Sequence, residues 1–166
     1  MMKRAGFTLA EVLVMLAVIA ILSGIILGAL PGIWNWMARA RIGTEIQAME
    51  TALENFKTDC GQYPPGTAVG YNPGDYIPAS VSLYTNLCGR DSFASPMTGK
   101  SYMDIKRSQL GSSGPYSYIQ DPYGNAYGYT KNGPMNPTSF DLWSTAGKTD
   151  SSAASTNQWI ANWQGR

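Results

Sequence analysis

Glu11 is the residue whose type and position most demand a chemical reason. It stands in MMKRAGFTLAEVLVMLAVIAIL, one turn into a run that is otherwise apolar. An ionisable group at that depth in a membrane-spanning helix is costly and by default marks a function. Other reactive side chains are sparse. The chain has no histidine, which excludes Ser-His-Asp and Cys-His nucleophile pairs and any zinc site built on imidazole. Glu45, Glu50 and Glu54 recur at helical spacing, the pattern of a solvated or subunit-facing stripe rather than of a general acid and base. Cys60 and Cys88 are too few for a four-thiolate metal site and do not form a C-x-x-C redox pair. In an oxidising compartment they would close a disulfide contributing roughly 3 to 4 kcal/mol through loop entropy; otherwise they are two unpaired buried thiols. The expectation is a protein that is not an enzyme and needs no cofactor.

The elements that must position Glu11 can be read along the chain. From Val12 to Leu30 the residues are apolar apart from Ser23 and two glycines, Gly24 and Gly28, long enough to cross a bilayer as a helix. Trp34 and Trp36 follow where an interfacial aromatic belt would lie. Helical periodicity then continues through Ile42, Ile46, Met49, Leu53, Phe56 and Cys60, so a single helix is predicted from Thr8 to Asp59, membrane in its first half and domain core in its second. Gly24, Gly28, Pro31 and Gly32 predict bending or local melting within it. A loop rich in Gly, Pro and Tyr comes next, then a short helix in ASVSLYTNLCG. YSYI, AYGYT and SFDLWS, separated by DPYGN and KNGPMNP, predict a three-stranded antiparallel meander packed on the amphipathic half of the helix. WIANW is predicted to fold back and dock its aromatic rings. The fold class is therefore α+β. The charged fraction is only 14% and the net charge +1, with no basic stripe for nucleic acid.

The stretch KRAGFTLAEVLVMLAVIAIL resembles the N-terminal signature of type IV pilins and pseudopilins: a short basic leader, Gly-Phe at a cleavage point, a glutamate five residues into the mature chain and a retained apolar helix. The resemblance implies a leader over residues 1–6, a membrane-spanning part over 7–33 and a periplasmic or extracellular head over 34–166. It implies that a prepilin peptidase cuts between Gly6 and Phe7 and methylates the new amino terminus of Phe7. Glu11 is then expected to meet the charged N-terminus of a neighbouring subunit, which turns a desolvation cost into a register device. Ala10 departs from the bulkier aliphatic residue common in the family. Downstream, GQYP, DPYGNAYGY and FDLWSTAG resemble the major pseudopilin of type II secretion systems, with Tyr123 and Ala126 as departures. Asp121, Pro122, Gly124 and Asn125 are read as turn geometry.

Many major pseudopilins hold calcium after the last strand. Here the comparable segment offers Asp150 and Asn157, with Ser144 as a contributor, fewer carboxylates than calcium prefers; solvated loop residues are the favoured reading. The function implied is a structural subunit of a type II secretion pseudopilus, single-pass in the inner membrane with its head in the periplasm. Its partners would be further copies in a filament, minor pseudopilins, the inner-membrane assembly platform and the prepilin peptidase. The alternatives are a type IV pilin for adhesion, motility or DNA uptake and, in a different class, a membrane-anchored binding module with Tyr63, Tyr71, Tyr76 and Tyr84 as an aromatic surface for carbohydrate or peptide.

Overall fold

The computed structural model describes residues 7–164, apart from the side chains of 29–31. The leader and Gly6 lie outside the described residues. Helix α1 runs from Leu9 to Cys60, within a residue of the predicted limits at each end. Its backbone is helical throughout Gly24–Gly32, so the predicted melting is absent. Apolar surroundings offer freed backbone groups no other partner, which favours keeping the helix intact through Gly and Pro. The chain divides into two compact units between Met37 and Ala38.

In the first unit every described side chain from Phe7 to Met37 is exposed, and α1 is long and apolar enough to cross a membrane. Nothing within the unit covers this surface. In the second unit α1 becomes amphipathic. Ile42, Ile46, Met49 and Leu53 are buried, the predicted seam, whereas Cys60 at its end is exposed.

After a 3₁₀ turn at Pro73–Tyr76, α2 spans Ile77–Cys88 and stops at Gly89, whose φ of 65° supplies the left-handed cap. Two antiparallel sheets follow instead of one meander. Strands β1 (Leu110–Ser113) and β2 (Tyr116–Ile119) form a hairpin, joined to the second sheet only by a bridge between Gln120 and Ala126 and the Tyr127 N–H donating to Ile119 O at 3.2 Å. The second sheet has the order β3 (Gly128–Lys131), β4 (Phe140–Ser144), β5 (Ile160–Ala161). YSYI thus pairs with LGSS, and the third strand of the larger sheet comes from WIANW. LGSS is Gly- and Ser-rich, with no β-branched residue to mark it as a strand. Between β4 and β5 lies a single helical turn, α3 (Ala153–Thr156).

All five residues of β4 are buried, because the larger sheet is covered on both faces. Tyr127, Tyr129 and Leu142 share the core with Met49 and Leu53 of α1 and Leu83 and Leu87 of α2. On the other face Trp143 packs edge-on to Tyr76, with ring centroids 5.3 Å apart, and against Trp163 at 5.8 Å.

Glu45 joins helix to sheets. Its side chain is 12% exposed and accepts from Arg41 Nε at 2.7 Å, Gln109 Nε2 at 2.7 Å and Tyr127 Oη at 2.6 Å. Gly128 lies opposite Trp143 in the β3–β4 ladder, and a Cβ there would come within 2.1 Å of the indole. Gly128→Ala is therefore expected to destabilise the head by about 1 to 3 kcal/mol through overpacking, read as a lower thermal midpoint by near-UV circular dichroism; an unchanged midpoint would show that the indole can shift freely.

Candidate assembly site

The N-terminus of α1 is organised by a reciprocal cap. Thr8 Oγ1 accepts from the Glu11 N–H at 3.3 Å. Glu11 Oε2 in turn accepts from the Thr8 N–H at 2.8 Å and from Thr8 Oγ1 at 2.9 Å. This is the Thr-x-x-Glu capping box, which satisfies orphan amide donors at a helix start. Glu11 Oε1 accepts no hydrogen bond among the described residues. One carboxylate oxygen therefore fixes the helix end, while the other has no donor among the described residues. Phe7, immediately before the cap, is 75% exposed.

Sequence reasoning misses a feature of the same helix. Gly24, Gly28 and Gly32 recur every fourth residue, and a Cβ built on any of them meets nothing within 4 Å. They share one face of α1 and expose its backbone to whatever packs there, the small-xxx-small arrangement that allows close helix approach in membranes. The four-residue spacing is the signal that could have found it; taken singly, the same glycines look like helix breakers.

The residues expected downstream are not brought together. Ser144 is fully buried and donates to Asp121 Oδ2 at 2.6 Å. Asp150 organises its own loop: Oδ1 accepts from the Ser152 N–H at 2.9 Å and from the Ser152 hydroxyl, and Oδ2 accepts from Ser155 Oγ at 2.5 Å. These bonds, chiefly from Ser152, hold its carboxyl down at about 2. Asn157 forms the C-cap of α3. Among the described residues no three His, Cys, Asp or Glu side chains converge as a metal group. Ser144 is thus committed to a buried bond with Asp121, and Asp150 to Ser152 and Ser155 of its own loop.

The expected Cys60–Cys88 bridge is likewise not formed. Both thiols are free, Cys60 exposed at the end of α1 with Sγ 3.9 Å from Tyr102 Oη, and Cys88 buried on the core face of α2. Sequence separation allows a loop to close but does not set the directions of the Cβ atoms, which a disulfide requires. Burial pushes the Cys88 thiol up to about 12. A neutral aromatic disulfide reagent should accordingly titrate one thiol in the native protein and two after unfolding, with Cys60→Ser abolishing the native reaction. Two fast-reacting native thiols would contradict the burial of Cys88.

DPYGN does more than turn the chain. Asp121 is 3% exposed and its Oδ1 accepts from the N–H groups of Tyr123 and Asn125, each at 2.9 Å, while Oδ2 takes the Ser144 hydroxyl. Burial raises its pKa above 3.8 despite these bonds. A carboxyl raised on folding adds stability below its unfolded pKa and loses it as pH rises through the folded value. Asp121→Asn keeps an acceptor for both N–H groups but cannot ionise, so its stability should fall less than the parent's as pH rises from the acid range to neutrality. Asp121→Ala should cost about 1 to 3 kcal/mol at all pH values by orphaning buried donors. Parallel thermal-melt profiles for the parent and Asp121→Asn would sink the assignment.

Comparison with known proteins agrees with the geometry at the N-terminus. Residues 1–27 match the prokaryotic N-terminal methylation motif. The chain is 34% identical over 62 residues to type II secretion system core protein G of Klebsiella michiganensis, a match covering 37% of this chain and 44% of that protein. It is 29% identical over 90 residues to the core protein G of Escherichia coli K12, covering 45% and 62%. The chain thus spans less than two thirds of the length of these two relatives. With core protein G of Vibrio cholerae it shares 28% identity over 163 residues, 98% of this chain and 94% of that one. The chain therefore opens with a prokaryotic N-terminal methylation motif and is similar, over nearly its whole length, to a type II secretion core protein G.

Proposed function

We propose that this protein is a structural subunit of a type II secretion pseudopilus, held in the inner membrane by α1 with its head in the periplasm, and polymerising through that helix. The observation that carries this reading is the first unit itself. A helix apolar on all sides, uncovered by the rest of the unit, follows a methylation motif and starts at a carboxylate with one oxygen uncommitted. Such a surface needs lipid or other helices around it. Removal of residues 1–6 by a prepilin peptidase would leave the Phe7 amine one residue from the Thr8–Glu11 cap. The ammonium of a neighbouring copy would then meet Glu11 Oε1, and a subunit inserted out of step would leave both charges unpaired. The Gly24, Gly28 and Gly32 face fits close helix packing in the same filament core. Assembly platform and minor pseudopilins are the partners this reading requires, and it asks no catalytic chemistry of the chain.

Two measurements on native membranes test it. Intact-mass spectrometry should find a chain beginning at N-methylated Phe7. Glu11→Ala should be processed and retained in the membrane, yet give at least tenfold fewer cross-linked multimers than the parent. A chain that keeps Met1 in cells with an active prepilin peptidase would defeat the proposal, as would undiminished multimers of Glu11→Ala.

A further inference from the structure

The face of the larger sheet turned away from α1 carries a cleft of about 920 Å³, bounded by the loop through Val69 and Tyr71 and by the C-terminal segment through Asn157 and Trp163. Its size is that of a small-molecule site. Its aromatic wall is continuous. Tyr71 lies 5.9 Å from Trp159, and Trp159 is stacked parallel to Trp143, 7° apart in plane and 6.4 Å between centroids. Tyr71 is 49% exposed. Beside these rings the exposed Thr67, Ser151 and Asn157 line the cleft, and among the described residues their side chains make no hydrogen bond within the protein.

Charge narrows the ligand class. Among the described residues no Lys or Arg lines the cleft, and Asp141 is the one acid there. Both its oxygens are taken, Oδ2 by the Met135 N–H at 2.9 Å and Oδ1 by the Asn136 N–H at 2.8 Å and Asn136 Nδ2 at 2.9 Å. Among the described residues an ion of either sign finds no free counter-charge. A polypeptide adding as a strand finds no edge on β3 either. The Ala68 N–H already donates to Tyr129 O at 2.9 Å, and the Lys131 N–H to Gly66 O at 3.0 Å. What fits is an uncharged molecule with flat C–H faces for the rings and hydroxyl or amide groups for the free polar side chains.

We infer that this cleft binds a neutral oligosaccharide, with Tyr71 as an exposed stacking platform and Asn157 as a hydrogen-bonding partner. The inference does not depend on filament assembly, and its failure would leave the assembly proposal standing.

The test uses the full chain purified in a detergent without a sugar headgroup. Tryptophan fluorescence is followed during titration with cellotetraose, chitotetraose and the polyanionic tetragalacturonate. A saturable change is expected with at least one neutral oligosaccharide and a weaker one with the charged compound. Tyr71→Ala should reduce the affinity for the neutral sugar about tenfold or more, as loss of an aromatic anchor does, with near-UV circular dichroism otherwise preserved. Asn157→Ala, on an exposed turn, should also weaken it and serves if Tyr71→Ala does not fold. Absence of a saturable signal with both neutral sugars would overturn the inference, and so would unchanged affinity in the two variants. It would equally fall if Tyr71→Ala altered self-association in cross-linking while leaving sugar binding intact, since the cleft would then belong to a second copy of the chain.

Discussion

The head is referenced to its helix by one carboxylate. Glu45 sits on α1 between the buried Ile42 and Ile46, and its oxygens reach Tyr127 at the entrance to β3 and Gln109 just before β1. A carboxylate at 12% exposure would oppose folding if left unpaired; with two neutral donors and Arg41 it becomes a positional constraint instead. Burial, reinforced by this charge, raises the pKa of Tyr127 and so keeps that phenol a donor across the neutral range. Hydrophobic contact alone would let a helix slide or rotate on a sheet at little cost. Two directional bonds from outside the helix, from Gln109 and Tyr127, favour the arrangement in which Ile42, Ile46, Met49 and Leu53 all face the core.

The same device recurs at smaller scale. Asp121 gathers two backbone N–H groups of its own turn and the Ser144 hydroxyl of β4, tying the β2–β3 connection to the sheet. Asp141 gathers the loop between β3 and β4 through Met135 and Asn136. These strands are four or five residues long, too short to set their own loops by ladder bonding. Buried acids at the turns supply that order, which accounts for how a head rich in glycine, serine and proline keeps a defined form with so few charges. The cost is sensitivity: each acid is buried, so each depends on every one of its donors.

Periodicity carries the helices and much less of the sheets. The seam from Ile42 to Leu53 is legible because apolar recurrence every 3.6 residues, sustained over many turns, is the mark of an amphipathic helix and of little else. So is the end of α2 at Gly89, where a left-handed cap requires glycine. Strand identity is legible for β2, β3 and β4, whose Tyr, Phe and Trp residues fit a half-buried pleated surface. Strand partners are not. LGSS lacks any side chain that marks a strand, yet it takes the full ladder with YSYI, while AYGYT keeps a single bridge, Gln120 to Ala126, with the Tyr127 N–H donating to Ile119 O at 3.2 Å. Ile119 is also held by the Ser80 hydroxyl, which accepts from its N–H at 3.1 Å and donates to its O at 2.8 Å. That contact joins residues 39 apart in sequence and leaves no local trace. The roles of Asp121 and Glu45 are hidden for the same reason: as letters in a turn and on a helix face they look solvated, and only the fold reveals what they hold.

At the other end of the molecule the logic of buried charge acts before any partner is present. A helix start carries partial positive charge from its unpaired N–H groups. A chain cut before Phe7 would add a full ammonium to that end, beside apolar side chains and with little water to screen it. Such a terminus needs an acid within reach, whether on its own chain or on another. Glu11 already answers the helix start through Thr8 with one oxygen. Replacing it with an apolar residue would therefore remove two things together, the cap that fixes the first turn and the open acceptor facing outward, whereas glutamine would retain the cap and an uncharged acceptor. The distance between those two substitutions measures how much of the role of Glu11 is geometry and how much is charge.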